Sequence, residues 1–518
     1  MNKIVSKIVI ALAVIFFIFG GLIKSFAQNK KRPNIVFIVT DDQHRNQFNF
    51  IKEGQDKDGN STNISPNIDR LASEGVIFDN SYVSTSVCTP SRYSIVTGTY
   101  ASRGISKGII KRYQGQTNIT WNVHVDSNTN NIAQALKDNG YFTGGVGKNH
   151  TFSGDNPHKV PTEADPRDPI IKQQLIENQA SQVAAYKEAG FDFAGALYKG
   201  NLPNQYPKAV EDHNMEWVVN SALQFLDLAA EKENPFFLYF ATTLAHGPDK
   251  LGTKYKGNPL ATPVGFLDKP LEVMPSRASV TERINKAGLD IEKADILWLD
   301  DGIGALLNKL EAINELENTV IFFIDDHGVE SGKGSLYEGG VKTVSFVYGP
   351  NYIKSGYRSQ QMVSNIDMVP TALDLAGVAT KDMYKMDGVS MLPLLQGSTK
   401  PIHESLYFEI GATRAVLKDG YKYLAFKAPE KIKTKLERKG KRATHICDKP
   451  GGRGSESPAL KFYAKNYFSE DQLYNIGQDP FEQSNLYSDK AQKDRVKDLK
   501  SELSKYVKML PGTFPIYN

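Results

Sequence analysis

The sequence predicts an α/β fold: a mostly parallel central sheet with helices on both faces, plus a smaller C-terminal antiparallel-sheet subdomain with a terminal helix. Three observations lead to this prediction. Continuous apolar runs rich in β-branched and aromatic residues recur as far as Tyr348, as expected for strands buried on both faces. Segments with helical periodicity lie between these runs, an alternation typical of parallel sheets. After about Pro401 short strand-like segments separated by turns favour antiparallel pairing.

The composition is that of a large globular chain. Its 518 residues are 40% apolar, which is enough for a large core and about two domains. Residues 1–27 resemble a secretory signal, with a basic start, an apolar run and small residues before the expected cleavage site. Without the three lysines of that segment the formal charge falls from +4 to +1, so no bulk affinity for nucleic acid is expected.

These features predict a periplasmic or secreted protein without a stable membrane anchor. A retained N-terminal anchor is the alternative, but the apolar run Ile8–Ile23 is short for a membrane span. The expected organisation is a signal peptide over 1–27, a catalytic α/β domain over 28–400 and an α+β subdomain over 401–518.

The first apolar run ends in two adjacent acidic residues. Pro33–Thr40 predicts a buried strand, and Asp41 and Asp42 follow it directly. Ligand sites gather at the carboxyl ends of strands in open α/β sheets, and a bound cation would relieve the repulsion between neighbouring carboxylates. The alternative is a helix cap followed by a solvated turn.

A short helix is predicted to begin at Cys88, one of two cysteines in the chain. Pro90 suits a first helical turn, because its missing N–H would have no partner there, and Gly98 ends the segment. The helix N-terminus would present N–H groups to an anion beside Cys88, and Arg92 shares that helix face. A disulfide between Cys88 and Cys447, or a buried thiol beside a capping turn, is the alternative.

Later strand ends also carry charged or imidazole groups. These are Lys148 and His150 after a strand over 141–146, His246 after a strand over 235–241, and Asp325, Asp326 and His327 after a strand over 319–324. Because the carboxyl ends of parallel strands meet at one edge of a sheet, we expect these groups to converge with Asp41 and Asp42. Taken singly, most of them would be ordinary surface residues.

Other elements complete the pattern. Helices are predicted over 65–75, 131–139, 209–230, 294–316 and about 490–510, and strands over 76–78, 344–348, 405–410, 414–418 and 421–426. Residues 155–208 are interpreted as an insertion of loops and one helix around Ile170–Glu188 that walls a substrate cleft. Ten basic residues against three acidic ones between Lys427 and Arg453 indicate either a polyanion-binding rim or a solvated loop.

The run Cys88-Thr89-Pro90-Ser91-Arg92 resembles the C-x-P-S-R signature of the formylglycine-dependent sulfatases. Further segments resemble elements of that family in the same order along the chain: Asp41-Asp42, the helix opening 65–69, Gly147–His150, the segment 235–246, Asp325–Gly328 and Gly332–Gly340. Two departures are Lys342, where the family usually has Arg, and Val344 in place of Pro. Several elements in order are far more specific than any one of them.

The resemblance implies a modified cysteine and a metal ion. In that family a formylglycine-generating maturase oxidises the cysteine of the signature, here Cys88. The implied metal ligands are Asp41, Asp42, Cys88, Asp326 and His327, and the implied cation is Ca²⁺. Three carboxylates favour a hard cation, although the nitrogen of His327 leaves Mg²⁺ or Mn²⁺ open. Asp325 stands where the family has Ser or Thr, so its role is open and a supporting position is expected.

The resemblance also implies roles in sulfate ester hydrolysis. Lys148 and Lys333 would bind the sulfate group, and Arg92 would help to neutralise its oxygens. His246 would protonate the leaving oxygen, on which negative charge develops in the transition state. His150 would contact the formylglycine and take the proton of its second hydroxyl, so that sulfate is expelled and the aldehyde re-forms.

The implied substrate is a sulfated polysaccharide or oligosaccharide. Specificity is expected from the loops 44–59, 103–125, 155–208 and 428–464. Arg112, Trp121 and His124 are candidate sugar contacts, with ordinary loop packing as the alternative. A phosphonate or phosphodiester hydrolase of the same superfamily is a second hypothesis, which the paired lysines disfavour. A secreted glycan-binding protein with an inactive enzyme fold is a third, but it would require a missing catalytic residue and none is missing.

Overall fold

The computed structural model describes residues 31–202, 205–247, 249–379, 383–446 and 457–516. The predicted signal segment 1–27 and Cys447 lie outside the described residues. The central strands are β1 (Asn34–Asp41), β2 (Val76–Tyr82), β3 (Phe142–Asn149), β4 (Phe193–Lys199), β5 (Phe236–Ala245), the short pair β6 (Ala261–Thr262) and β7 (Gly265–Phe266), β8 (Thr319–Asp325), β9 (Ser345–Tyr348) and β10 (Tyr357–Ser364).

Eight of these strands form the main sheet, in the order β10-β2-β9-β8-β1-β5-β3-β4. Only β9 runs antiparallel to its neighbours β2 and β8 among the described strands of this sheet. The predicted mostly parallel sheet is therefore confirmed. It places the carboxyl ends of β8, β1, β5 and β3 side by side at its centre.

Fourteen described α-helices accompany the sheets. They are α1 (Pro66–Glu74), α2 (Cys88–Thr97), α3 (Lys107–Arg112), α4 (Ile132–Asp138), α5 (Pro169–Glu188), α6 (Met215–Ala230), α7 (Arg277–Lys286), α8 (Ala294–Ala312), α9 (Glu338–Val341), α10 (Met368–Leu375), α11 (Leu392–Leu395), α12 (Glu430–Lys439), α13 (Pro458–Phe462) and α14 (Lys493–Met509). None of the described helices is both long enough and apolar enough to cross a membrane.

Strand β1 explains why helices cover both faces of the sheet. All eight of its residues are buried, and successive side chains of a strand point to opposite faces. Val36 and Ile38 join a hydrophobic cluster with α1, α6 and α8. Ile35, Phe37 and Val39 join a second cluster with α2, α4 and α10 on the other face. A strand that is apolar on both faces is stable only when other elements pack on both faces. The continuous apolar run of β1 predicted this arrangement.

Two predictions for the middle of the chain are wrong in part. Residues 155–208 are not only loops and a helix, because β4 lies among them and pairs in parallel with β3 at the sheet edge. Gly195 and Ala196 interrupt the apolar run of β4, and Ala196 has a positive φ of 49° where the register shifts. The helix predicted from Ala209 begins at Met215 instead, because the Asn214 side chain caps it.

The C-terminal part forms a separate antiparallel sheet in the order β11 (Ser405–Ile410), β12 (Thr413–Lys418), β13 (Tyr421–Phe426) and β14 (Asp471–Asn475). The first three strands were predicted and β14 was not. One face of this sheet packs on α14 through Leu499 and Leu503. The other face packs on Leu336, Tyr337 and Val341, which lie just before and within α9. The division of the chain at residue 400 stays a prediction.

Candidate active site and metal centre

The predicted convergence of strand ends is confirmed by the sheet register. Thr40 of β1 pairs with Asp325 of β8, and Asp41 pairs with Ala245 of β5 on its other side. Because β5 continues to Ala245, His246 follows the strand directly and does not lie in a loop five residues beyond it. The carboxyl ends of three neighbouring strands therefore present Asp42, Asp326 and His246 together.

Helix α2 brings Cys88 to the same place. It runs from Cys88 to Thr97 and ends at Gly98, whose φ of 66° suits a glycine in the left-handed region, as predicted. Every residue of the helix is buried. The Ser91 hydroxyl donates to the carbonyl oxygen of Asp326, and Asn365 donates to the Ser91 hydroxyl at 3.1 Å. These bonds tie the first turn of the helix to the ends of β8 and β10.

Four potential metal ligands lie close together: Asp42, Cys88, Asp326 and His327. One ligand atom from each lies within 4.8 Å of every other. Cys88 Sγ is 3.4 Å from His327 Nε2, which lies 3.3 Å from Asp42 Oδ1 and 3.7 Å from Asp326 Oδ1. Cys88 is a free thiol in this cluster.

Asp41 lies beside this cluster and not within it. Its carboxylate pairs with Lys148, which is 1% exposed, and lies 3.4 Å from the guanidinium of Arg92. Asp41 Oδ1 is the oxygen that faces Arg92, and it has no hydrogen-bond partner among the described residues. A buried carboxylate next to two further carboxylates and an imidazole fits a hard cation such as Ca²⁺.

Arg92 contacts the carboxylates of both Asp41 and Asp326. Its Nε donates to Asp326 Oδ2 at 3.0 Å, and its Nη2 donates to the carbonyl oxygen of Thr40 at 3.1 Å. The side chain is fully buried. All of its ion pairs within the described part of the chain go to Asp41 and Asp326. These contacts suit Arg92 to orienting the two carboxylates, and its predicted contact with sulfate oxygens stays a prediction.

Lys333 and His246 meet on Asp42. Lys333 Nζ lies 2.7 Å and 2.5 Å from the two Asp42 oxygens, and His246 Nε2 lies 3.5 Å from Asp42 Oδ2. The N–H of Gly334, next to Lys333, donates to the carbonyl oxygen of Ser86 at 3.1 Å. This backbone bond holds the Lys333 loop against the segment that leads into Cys88.

The charges of the cluster shift the pKa values of its members. Burial alone would raise the pKa values of Asp42 and Cys88, but neighbouring cations, chiefly Lys333 for Asp42 and Lys148 for Cys88, hold both well below their ordinary values. Burial alone would lower the pKa of His327, but Asp326 and Cys88 raise it to about 10. The surrounding cations therefore favour the ionised forms of the Asp42 carboxyl and the Cys88 thiol.

Asp325 has a different environment from its neighbours. Its Oδ1 accepts hydrogen bonds from Thr40 Oγ1 at 2.7 Å and from the Gln43 N–H at 3.3 Å. Burial, followed by repulsion from Asp326, raises the pKa of Asp325 well above its ordinary value. It lies outside the four-residue cluster, and its contacts connect the ends of β1 and β8.

His150 leaves β3 beside Cys88 and lines a separate cleft of about 450 Å³. Burial lowers the pKa of His150, and a hydrogen bond with Cys88 opposes that shift. Its Nδ1 is buried without a hydrogen-bond partner among the described residues. Of the three candidate sugar contacts, His124 lines the same cleft, Trp121 packs on the hydrophobic cluster of the C-terminal sheet, and Arg112 is exposed.

Sequence reasoning missed His213, which supports His246. His213 is 1% exposed, its Nδ1 lies 2.8 Å from Thr243 Oγ1, and its Nε2 lies 2.9 Å from the carbonyl oxygen of His246. Burial lowers the pKa of His213 to about 3, so the ring is neutral. Nε2 therefore donates to His246, and Nδ1 accepts the hydroxyl of Thr243. A lone histidine next to a helix cap gives no periodic signal that would have identified it.

Comparison with known proteins gives a consistent result. The family model for sulfatases matches residues 33–378, and a model for the C-terminal part of N-sulphoglucosamine sulphohydrolase matches residues 326–433. Bovine arylsulfatase A is 24% identical over 92% of this chain and 87% of its own length. Mouse N-acetylgalactosamine-6-sulfatase is 24% identical over 75% of this chain and 71% of its own length.

Solved structures support the fold. A Bacteroides thetaiotaomicron structure from work on the metabolism of multiple glycosaminoglycans has a TM-score of 0.62 at 21% identity, covering 93% of this chain and 100% of its own. A protein solved with its substrate D-glucosamine-2-N,6-O-disulfate has a TM-score of 0.56 at 19% identity, covering 92% and 98%. The phosphonate monoester hydrolase of Agrobacterium radiobacter has a TM-score of 0.55 at 16% identity, covering 92% and 95%.

Proposed function

Because this chain belongs to the sulfatase family, we propose that it hydrolyses sulfate esters of a sulfated polysaccharide or oligosaccharide, with Cys88 as formylglycine and with Ca²⁺ as cofactor. One observation carries this proposal: the ligand atoms of Cys88, Asp42, Asp326 and His327 meet within 4.8 Å of one another. The names of relatives that act on sulfated amino sugars support a carbohydrate substrate.

The cation would be held by Asp41, Asp42, Asp326 and His327, with the residue at position 88 beside them. Carboxylates are the ligands that Ca²⁺ prefers, and Asp41 Oδ1 is buried without a hydrogen-bond partner among the described residues. When bound, the cation neutralises an oxygen of the sulfate group and holds position 88 in place. Arg92 would keep the carboxylates of Asp41 and Asp326 oriented toward the ion, since it contacts both.

Lys148 and Lys333 would bind the remaining sulfate oxygens. Each ammonium group lies at the edge of the cluster against an aspartate, so the positive charges already face the place where an anion would sit. Sulfate carries its charge on several oxygens, and two cations from different elements would position the sulfur in front of position 88.

His246 would donate the proton to the leaving sugar oxygen. Its Nδ1 lies 3.1 Å from the carbonyl oxygen of Gly247, which can only accept, so Nδ1 is protonated. Nε2 therefore faces Asp42 and is the atom that would carry the transferred proton. His213 would position His246 by its hydrogen bond to the His246 carbonyl oxygen.

His150 would act as the base in the second half of the reaction. Formylglycine supplies two hydroxyl groups when hydrated, one to attack sulfur and one to expel sulfate from the adduct. Because burial lowers the pKa of His150, the imidazole is neutral at ordinary pH and can accept the proton of that second hydroxyl.

We further infer a periplasmic or secreted location after removal of 1–27, maturation by a formylglycine-generating enzyme, and a catalytic domain over 28–400 followed by a subdomain over 401–518. The signal-like segment at the N-terminus and the separate C-terminal sheet support these proposals.

The test is sulfate release by protein produced together with the maturase, with the mass of the peptide containing residue 88 measured in parallel. We expect an aldehyde at position 88 and release from at least one member of a panel of defined sulfated oligosaccharides. Full aldehyde conversion without release from any member would contradict the proposal. Faster turnover of an aryl phosphodiester than of an aryl sulfate would favour the phosphonate or phosphodiester hydrolase instead.

A further inference from the structure

The cleft beside His150 has walls from four separate parts of the chain. Its volume of about 450 Å³ lies within the range of small-molecule sites, ~300–1,000 Å³. His150 and Asn149 come from the end of β3, and Lys199 comes from the end of β4. His124 comes from the loop before α4, and Asp155 comes from the loop after β3. The cleft therefore shares His150 with the reacting centre and reaches β4 at the edge of the main sheet.

Lys199 is held firmly at this cleft. It is the last residue of β4 and pairs in register with Asn149 of β3. Its N–H lies 2.6 Å from the hydroxyl oxygen of Tyr206, and the N–H of Gly200 donates to the Asn149 carbonyl at 2.7 Å. Gly200 lies against His150, because a Cβ atom at position 200 would be 3.8 Å from the imidazole ring. The Lys199 backbone is thus fixed next to a residue of the reacting centre.

The charge of Lys199 distinguishes it from the other two lysines of the site. Lys148 and Lys333 each form an ion pair with an aspartate. Among the described residues, no carboxylate oxygen lies within 4 Å of Lys199 Nζ, and Asp155 acts on it only at longer range. Lys199 is half-buried, and burial lowers its pKa. An anionic group of a ligand in the cleft would supply the ion-pair partner that Lys199 lacks among the described residues.

The rest of the lining is polar and suits a sugar. Gln205 and His124 offer hydrogen-bonding groups at the cleft surface. Gln182 is buried in the wall, where its amide bonds the Asn149 side chain at 2.7 Å and the Gly154 carbonyl at 3.0 Å. That wall is therefore fixed before a ligand arrives, which lowers the entropy cost of binding.

We propose that this cleft binds the sugar that carries or adjoins the reacting sulfate, and that Lys199 selects substrates with a second anionic group there, either a carboxylate or another sulfate. This inference rests on the proposed function of the site. It assigns to the cleft the choice among sulfated carbohydrates, whereas the cluster around Cys88 would recognise any sulfate ester.

The test compares matched substrates on the mature enzyme. One pair is a sulfated disaccharide with a uronic acid and the same disaccharide with its carboxylate reduced to an alcohol. A second pair is a disulfated sugar and its monosulfated counterpart. We expect wild type to prefer one anionic member, and Lys199→Gln to reduce that preference in kcat/KM by about 10- to 100-fold, as for a lost hydrogen bond to a charged group.

Lys187→Gln is the matched control, since it removes the same charge from an exposed position on α5, and it should keep the wild-type preference. An equal loss on both members of each pair, no loss on either pair, or the same effect in Lys187→Gln would overturn the proposal. The substrate pair whose preference changes in Lys199→Gln shows whether the second anionic group is a carboxylate or a sulfate.

A binding experiment separates this inference from the proposed function. The desulfated uronic-acid disaccharide is titrated calorimetrically into Cys88→Ser protein with and without Lys199→Gln. Weaker binding with Lys199→Gln supports the subsite even if the wild-type enzyme turns over no sulfate ester. Where the wild-type preference in kcat/KM is for the carboxylate, equal binding by both proteins together with normal turnover by wild type would overturn the subsite and leave the sulfatase reaction standing.

Discussion

Two groups of buried charges lie near each other but are built differently. The first is the cluster around Cys88. The second, which we call the interior ion cluster, consists of Lys422, Glu338, Glu482 and Tyr82. Glu338 lies five residues after Lys333, so one loop contributes to both groups. The interior ion cluster also joins this loop to the C-terminal sheet, because Lys422 belongs to β13.

In the interior ion cluster, charges pair directly. Lys422 Nζ lies 2.8 Å from Glu338 Oε1, 2.9 Å from Glu482 Oε1 and 3.2 Å from the Leu336 carbonyl oxygen, which matches the three donors of an ammonium group. Tyr82 donates to the other Glu338 oxygen at 3.2 Å. Burial raises the pKa of Glu482 to about 7, so a proton can take up the excess negative charge.

The cluster around Cys88 also pairs its aspartates with cations, Asp42 with Lys333 and Asp326 with Arg92. It differs in that one ligand atom from each of its four residues lies within 4.8 Å of every other. Burial of paired charge therefore does not by itself identify a functional site. Convergence of several ligand atoms on one place is more specific, because together they can bind a single ion.

The largest expected effect comes from Cys88→Ser, which tests the cluster around Cys88. Without the aldehyde residue, sulfate release should fall at least about 10³-fold, since a serine adduct cannot expel sulfate. The free energy of unfolding should change by less than about 1 kcal/mol, because the two side chains are similar in size. Rates of sulfate release and urea unfolding curves check both parts. A variant that keeps wild-type activity would remove Cys88 from the mechanism.

Lys422→Met tests the interior ion cluster, where the expected effect is on stability. It leaves two carboxylates buried without a cation, and the free energy of unfolding should fall by about 3–5 kcal/mol. Adding Glu338→Gln and Glu482→Gln should restore much of that loss, since an uncharged cluster has no charge left unpaired. Urea unfolding measures both variants. A loss of less than about 1 kcal/mol in the single variant would contradict this account.

His213→Phe removes the donor to the His246 carbonyl and should misplace the acid. We expect kcat for a sugar sulfate to fall about 10- to 100-fold, while 4-nitrophenyl sulfate, whose leaving group needs little protonation, should lose less than about threefold. His213→Gln, which retains a donor, should recover part of the activity. His246→Ala is the control and should show the same selectivity for the leaving group. Equal losses on both substrates would indicate a purely structural role.

The smallest effect is the pH dependence contributed by Glu482. Its pKa is raised from 4.5 to about 7 in the folded protein, so the folded state binds this proton more tightly. The contribution is complete below about pH 4.5 and is lost as pH rises toward about 7, so the free energy of unfolding falls over this interval. Glu482→Gln should flatten this slope in unfolding curves between about pH 4.5 and 7. An unchanged slope would mean that a group other than Glu482 causes this pH dependence.

Elements with a strong local signal were predictable. Buried parallel strands such as β1, β5 and β8 require continuous apolar runs, and their carboxyl ends meet for geometric reasons. Asp42, His246 and Asp326 could therefore be placed together from the amino-acid sequence alone. The helix from Cys88 to Gly98 was equally local, since Pro90 and Gly98 mark its two ends.

Features that depend on distant partners were not predictable. Strand β14 pairs with β13 across about 45 intervening residues, and β4 contains a glycine and a residue with positive φ. His213 and Lys422 carry no pattern of their own, because their partners come from other elements only after folding. The cleft at Lys199 likewise requires four chain segments to meet.

The burial of α2 has a consequence for how the enzyme is made. Cys88 is 1% exposed, and the whole helix that follows it is closed off. A second protein that oxidised this thiol, as proposed above, would have to reach it before the helix is buried. Oxidation would then compete with folding, and the fraction of converted molecules would depend on the relative rates of the two processes.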